Sequence, residues 1–128
     1  MQAGDLCSIE KGDGAYGVAK ILRVEEGVVH VRVYAETFSE RPVAVDPASL
    51  TLATVHDESF GFGHLPLHPS EFERWQPERF GHAPVEPEEL DGYEIWRDAA
   101  DGGEAGVWLP TDEPHGWRER LRNFFWRG

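Results

Sequence analysis

The sequence predicts an α+β fold, in which a five-stranded antiparallel β unit is covered by two or three short helices from the C-terminal half. Period-two alternation of apolar residues dominates the first 55 residues, whereas prolines interrupt the chain after residue 56. Residues 60–128 hold all five tryptophans and six of the seven phenylalanines. A chain of 128 residues suits one domain, with residues 1–56 as the β unit and 57–128 as a helix- and aromatic-rich covering region.

The first three strands are predicted by alternation and by the turns between them. Residues 4–9 alternate before a glycine-rich turn at 11–14, and residues 16–24 follow as a second strand. Its shared face is predicted to carry Tyr16, Val18, Lys20, Leu22 and Val24. A short hairpin connection at 25–27 leads to residues 29–34, the clearest strand, where three valines alternate with His30, Arg32 and Tyr34.

Two further strands are predicted at residues 41–45 and 50–55, separated by a turn that contains Pro47. Five short strands within 55 residues indicate a strongly bent sheet or an SH3-like barrel, in which closure protects the strand edges.

Three helices and a returning strand are predicted in the covering region. The first begins at Pro69, places Phe72 and Trp75 on one side and ends at Pro77. The second begins at Pro87 and ends at Gly102-Gly103. Residues 107–109 are predicted as an edge strand, and 112–125 as a helix with one apolar stripe.

Charge and cysteine content limit the partners and the compartment. The net charge of −12 opposes association with nucleic acid or anionic lipid and favours a basic protein partner. No apolar run approaches the roughly 18 residues of a membrane span, and the N-terminus lacks the pattern of a secretion signal. Cys7 is the single cysteine, which fits a reducing compartment and a buried packing role, so we expect a cytoplasmic protein.

Catalytic motifs are absent from the sequence. It contains no nucleophile elbow, phosphate-binding loop or dinucleotide fingerprint, and we assign no catalytic residue and no cofactor. The alternative is a metal site at His56, His64 and His68. Proline at 66 disfavours a helix between the last two, and a strand would hold them roughly 13 Å apart, too far to share one ion.

An aromatic surface is the preferred binding feature. The candidates, each of which could instead pack in the core or at an edge, are Tyr16, Tyr34, Trp75, Trp96 and Trp108. Exposed aromatic rings beside carboxylates would favour extended peptides or cationic groups.

The segment Gly4-Asp5-Leu6-Cys7-Ser8-Ile9, followed by Gly12-Asp13-Gly14-Ala15-Tyr16-Gly17, resembles the opening of bacterial immunity proteins of polymorphic toxin systems. The resemblance covers about the first 35 residues. It departs from that group at Cys7, where a bulky aromatic residue is common. The segments 64–67 and 92–96 also resemble short sequence segments of small uncharacterised bacterial proteins. The resemblance implies an SH3-like β unit that neutralises a toxin by binding it.

Three functions stay open at this point. The chain is interpreted as a non-enzymatic binding protein, such as an immunity-type inhibitor, whose acidic surface meets a basic protein. The first alternative is a small metal-dependent hydrolase that uses the histidines. The second is a structural or regulatory assembly module, and the oligomeric state is left open.

Overall fold

The computed structural model describes residues 1–52, 61–103 and 106–107. Its strands and helices are β1 (Asp5–Gly12), β2 (Ala15–Glu25), β3 (Val28–Val33), β4 (Phe62–Leu67), α1 (Pro69–Arg74), β5 (Glu78–His82) and α2 (Asp91–Asp101). Short 3₁₀ turns occupy Pro47–Ser49 and Pro87–Leu90. The strands form one antiparallel sheet in the order β4-β3-β2-β1-β5. The α+β prediction is therefore confirmed.

The first three strands lie where the alternation predicts them. The β2–β3 connection is a two-residue hairpin in which Glu26 and Gly27 both have positive φ, as type I′ turns require. A bulge interrupts β2 between Ile21 and Arg23. The predicted single face from Tyr16 to Val24 is wrong beyond this point, because one extra residue reverses the alternation and leaves Val24 exposed.

Both faces of the sheet are covered by apolar side chains. The larger core lies under α1 and contains Cys7, Ile9, Ala19, Ile21, Val29, Val31, Val33, Leu65, Leu67, Phe72 and Trp75. A smaller cluster on the opposite face contains Leu6, Val18, Tyr34 and Leu50. Helix α2 lies on the second face, where Tyr93 and Trp96 contact His30.

The predicted fourth and fifth strands are wrong. Residues 41–45 and 50–52 are not strand, and 53–55 lie outside the described residues. Pairing falls instead to β4 and β5, which lie in the proline-interrupted region where the sequence predicts no strand. Pro66 is tolerated because β4 is an edge strand, where a proline nitrogen can face away from the ladder. In the described residues no ladder joins β4 to β5, so the sheet is open rather than a closed barrel.

The first two helix predictions are confirmed. Pro69 occupies the first turn of α1, and His68 accepts a hydrogen bond from the Ser70 N–H at its N-cap. The second helical segment starts at Pro87 and ends at Gly102-Gly103. Val107 is not in a strand, and residues 108–109 and 112–125 lie outside the described residues. Neither described helix is long and apolar enough to cross a membrane.

Candidate functional site

Helix α2 lies over the end of the sheet formed by β2, β3 and β4, and two histidines lie beneath it. The β2 bulge sets Arg23 opposite His30 of β3, so the charged end of β2 shares a face with His30. His64 of β4 lies beside His30 on this face. From above, α2 contributes Tyr93 and Trp96, whose rings contact His30 at centroid distances of 4.8 and 4.7 Å. This arrangement defines the histidine pair and its α2 cover.

The histidine pair is a hydrogen bond between the fully buried ring of His30 and the half-buried ring of His64. His30 Nδ1 and His64 Nε2 are 2.8 Å apart, while the ring centroids are 5.1 Å apart and the planes differ by 16°. Because the nitrogen distance is much shorter than the centroid distance, the nearly parallel rings meet at their edges. One nitrogen must donate and the other accept, which requires at least one neutral ring. His30 is fully buried, and its Nε2 has no hydrogen-bond partner in the described part of the protein.

Burial keeps both histidines neutral. It lowers the pKa of His30 to about 4, and the guanidinium groups of Arg23 and Arg97 act in the same direction against Glu25. Burial also lowers the pKa of His64 to about 4, with His30 adding to the effect. A neutral imidazole pair at pH 7 follows from this environment.

Polar contacts from two successive turns of α2 hold the helix on the β2–β3 hairpin. The Tyr93 hydroxyl donates a hydrogen bond to Glu25, which lowers the pKa of that carboxyl. The Arg23 guanidinium lies 5.1 Å from the centre of the Tyr93 ring, within cation–π range. One turn further on, Arg97 donates to Glu26 at 2.8 Å. The helix is therefore tied to the β2–β3 hairpin by side chains of both signs.

Gly92 allows α2 to approach the sheet closely. A Cβ atom at this position would lie 2.6 Å from His64 Cβ and 3.3 Å from His64 Cγ. In the sequence this glycine weakens the helix prediction, since glycine is a poor helix former. The contact explains its presence, because only a residue without a side chain fits between the helix axis and β4.

The outward face of α2 carries carboxylates around one apolar side chain. Its exposed members, spaced at helical intervals, are Asp91, Glu94, Ile95, Asp98 and Asp101. Ile95 is 73% exposed, so its side chain is accessible to a partner. Asp101 forms an i,i+4 pair with Arg97 at 3.6 Å. The other three carboxylates have no side-chain ion pair in the described part of the chain.

The charge of the whole chain is concentrated in this region. Residues 86–101 contain seven acids and one arginine, a net charge of −6, which is half of the −12 of the full sequence. Glu89 is turned inward and pairs with Lys20 at 2.9 Å. The remaining excess lies on the exposed side, so the field around α2 attracts cations and basic groups.

The predicted aromatic surface does not assemble as one patch among the described residues. Tyr34 and Trp75 are 7% and 2% exposed, and both rings pack in the core, where they offer no face to a ligand. Tyr16 is half-buried under the Arg41 guanidinium, 5.0 Å from its ring centre. Trp96 is half-buried against His30 and donates its indole N–H to the Gly106 carbonyl. Trp108 lies outside the described residues.

The structure separates the histidines of the alternative metal site. His64 is bonded to His30, whereas His68 lies beyond the end of β4 and caps α1, and His56 lies outside the described residues. Over residues 1–52, 61–103 and 106–107, no three His, Cys, Asp or Glu side chains are grouped to hold a metal ion. The sequence prediction includes neither His30 nor the outward residues Glu94, Ile95 and Asp98 of α2 among its candidate site residues. The available signals are the place of His30 among three valines of a clear strand and the helical spacing of the three α2 residues.

Cys7 lies in the larger core. Burial, followed by the negative charge of Asp5, raises the pKa of its thiol to about 11. The thiol is therefore protonated at pH 7 and packs as a small apolar group, in line with the packing role expected for it.

Comparisons of the chain with protein-family models, with curated proteins and with solved structures give no match. The function is therefore argued from the geometry of α2 and its surroundings.

Proposed function

We propose that this chain is a non-enzymatic binding protein that docks a basic protein on the outward face of α2. The observation that carries the proposal is Ile95, an exposed aliphatic side chain among four exposed carboxylates on one helical face. Protein–protein interfaces combine a few buried apolar anchors with a polar rim. On this face Ile95 is the apolar side chain, and the carboxylates around it form the polar rim.

Charge and anchor have separate roles in this proposal. The carboxylates of Glu94 and Asp98 flank Ile95 and attract lysine and arginine side chains, which speeds encounter and excludes acidic partners. Ile95 then enters an apolar pocket on the partner and slows dissociation. A partner of the required chemistry has a basic surface with a shallow apolar depression.

The fastening of α2 supports the same interpretation. Tyr93 and Arg97 hold the helix on the β2–β3 hairpin, so its outward face is ordered before binding. A preformed surface avoids the entropy cost of ordering a flexible segment. The α2 face therefore suits recognition of a folded partner.

An immunity-type inhibitor is the specific form of binding protein that we propose, in a reducing cytoplasmic setting that suits the single buried Cys7. β1 to β4 form a meander and β5 returns to pair with β1, a connectivity compatible with an opened SH3-like barrel. The N-terminal resemblance and this strand order support the proposal together. The metal-dependent alternative has less support, because His64 and His68 are engaged in different contacts.

Capture of a partner by the immobilised wild-type chain, compared with capture by two charge-reversal variants, tests the proposal. We expect the wild-type chain, immobilised at low salt, to retain a basic protein from the source cell's lysate that a Glu94→Lys/Asp98→Lys variant does not retain. The control variant Glu40→Lys/Glu73→Lys changes the net charge equally at exposed positions away from α2 and should retain it.

Two further readouts separate the alternatives. Ile95→Ala should speed dissociation of the captured protein without changing its salt dependence, because the side chain is uncharged. If the α2 variant and the control variant lose capture of the basic protein equally, net charge alone explains the effect, and binding to the outward face of α2 is contradicted. Self-association without a captured partner, seen by analytical ultracentrifugation, would favour the assembly module instead.

A further inference from the structure

We propose that the His30–His64 pair is a pH-sensitive latch that holds α2 on the sheet at neutral pH and weakens its docking as the pH falls from 7 to 5. This inference concerns the docking of α2 to the chain's own sheet and does not depend on the proposed function.

The position of the pair makes it part of the α2 interface. The rings lie on β3 and β4, and α2 covers them with Tyr93, Trp96 and the backbone at Gly92. Opening the helix exposes His30, which is otherwise fully buried. The protonation state of the pair and the docking of α2 are therefore coupled.

A proton added to Nε2 of docked His30 creates an N–H group that has no acceptor among the described residues. His30 already uses Nδ1 for the bond to His64, and its Nε2 has no partner in the described residues. Protonation of both rings would turn both bonded nitrogens into donors and break the hydrogen bond. A buried and unpartnered N–H or charge is costly, whereas the undocked rings are hydrated.

The charged groups around the pair do not offset that cost. β2 contributes Arg23 and Glu25, α2 contributes Arg97 and the Tyr93 hydroxyl, and the β2–β3 turn contributes Glu26. Both arginines disfavour a positive ring. Of the two carboxylates, Glu25 accepts from the Tyr93 hydroxyl and Glu26 pairs with Arg97, so each already has a partner on α2.

The direction of the pH effect follows from proton binding. The pKa of each docked histidine is lowered from 6.5 to about 4, so the undocked form binds more protons between these two values. Docking is at full strength above pH 6.5 and weakens as the pH falls towards 4. From pH 7 to pH 5, one histidine shifts the opening equilibrium by about 20-fold.

Hydrogen exchange measured on the wild-type chain tests the latch. Amide protection factors, corrected for intrinsic exchange, should fall by about 20-fold or more in α2 between pH 7 and pH 5. At both pH values α2 should be less protected than β2 and β3, since it opens separately. A change below about threefold, or equal protection of α2 and the sheet, would overturn the proposal.

Matched variants assign the effect to the pair. His30→Phe/His64→Leu removes both titrating rings and replaces both hydrogen-bonding partners by apolar groups, so the pH-dependent loss of α2 protection should disappear. His68→Asn removes an exposed histidine while keeping an N-cap residue and should behave as wild type. If amide protection in α2 of the double variant still falls between pH 7 and pH 5 as much as in wild type, the latch is contradicted. If that variant does not fold, NMR titration of the wild-type imidazoles decides, because the proposal requires two histidines that titrate well below pH 6.

Discussion

Replacing Gly92 by alanine tests the packing of α2 most sensitively. In an ordinary helix interior, glycine to alanine is stabilising by about 1 kcal/mol. Here the new Cβ would lie 2.6 Å from His64 Cβ, far inside van der Waals contact, and both atoms are fixed to backbone. Overpacking of this kind costs about 1 to 3 kcal/mol. We therefore expect Gly92→Ala to lower the free energy of unfolding by about 1 kcal/mol.

A double-mutant cycle isolates the contact. In a His64→Gly background the opposing Cβ is gone, so Gly92→Ala should become stabilising by about 1 kcal/mol, a coupling of about 2 kcal/mol. A His64→Ala background keeps the opposing Cβ and should retain the penalty, which makes it the matched control. Urea unfolding followed by far-ultraviolet circular dichroism measures all six proteins. Stabilisation by Gly92→Ala in the otherwise unaltered chain would refute the close approach of α2 to β4.

Three further predictions concern titration and the inner face of α2. Wild-type stability in urea should fall by about 2 kcal/mol per histidine between pH 7 and pH 5, through His30 and His64, and a flat profile would contradict their burial. Burial raises the pKa of Asp5, but hydrogen bonds led by the Gln2 N–H lower it to about 2 overall. Asp5→Asn should therefore lower the free energy of unfolding by about 2 kcal/mol at pH 7. The variant should also show a flatter dependence of stability on pH between pH 4 and pH 2. Tyr93→Phe removes the hydrogen bond to Glu25 and should lower the opening free energy of α2, measured by hydrogen exchange, by about 1 to 2 kcal/mol. The opening free energy of β1 should not change.

The elements that the sequence predicts well are those fixed by local pattern. β3 alternates valines with polar residues, and the prolines at 69 and 87 mark helix starts whatever the rest of the fold does. In contrast, β4 and β5 depend on which distant segments pair with β3 and β1. Pro66 argues against a strand locally, and only its edge position in the sheet permits one.

In the candidate site, too, the features fixed by local sequence are predictable, and those that depend on distant contacts are not. The helix that carries Ile95 is predictable from its start and stop signals, but its exposure depends on which face Tyr93 and Gly92 turn to the sheet. His30 meets His64 only because β3 and β4 pair across 34 positions of sequence. A single bulge in β2 brings Arg23 to their face, and alternation alone predicts the opposite.

Site-specific photocrosslinking from position 95 in the source cell tests the central claim most directly. A photoreactive residue in place of Ile95 should give an adduct with a basic protein, lost when Glu94 and Asp98 are changed to lysine. The control position is Val43, an aliphatic residue that is 80% exposed and lies outside α2. An adduct from position 95 and none from position 43 is the predicted result. Adducts from position 43 alone, or from neither position, would contradict a basic partner docked on the outward face of α2.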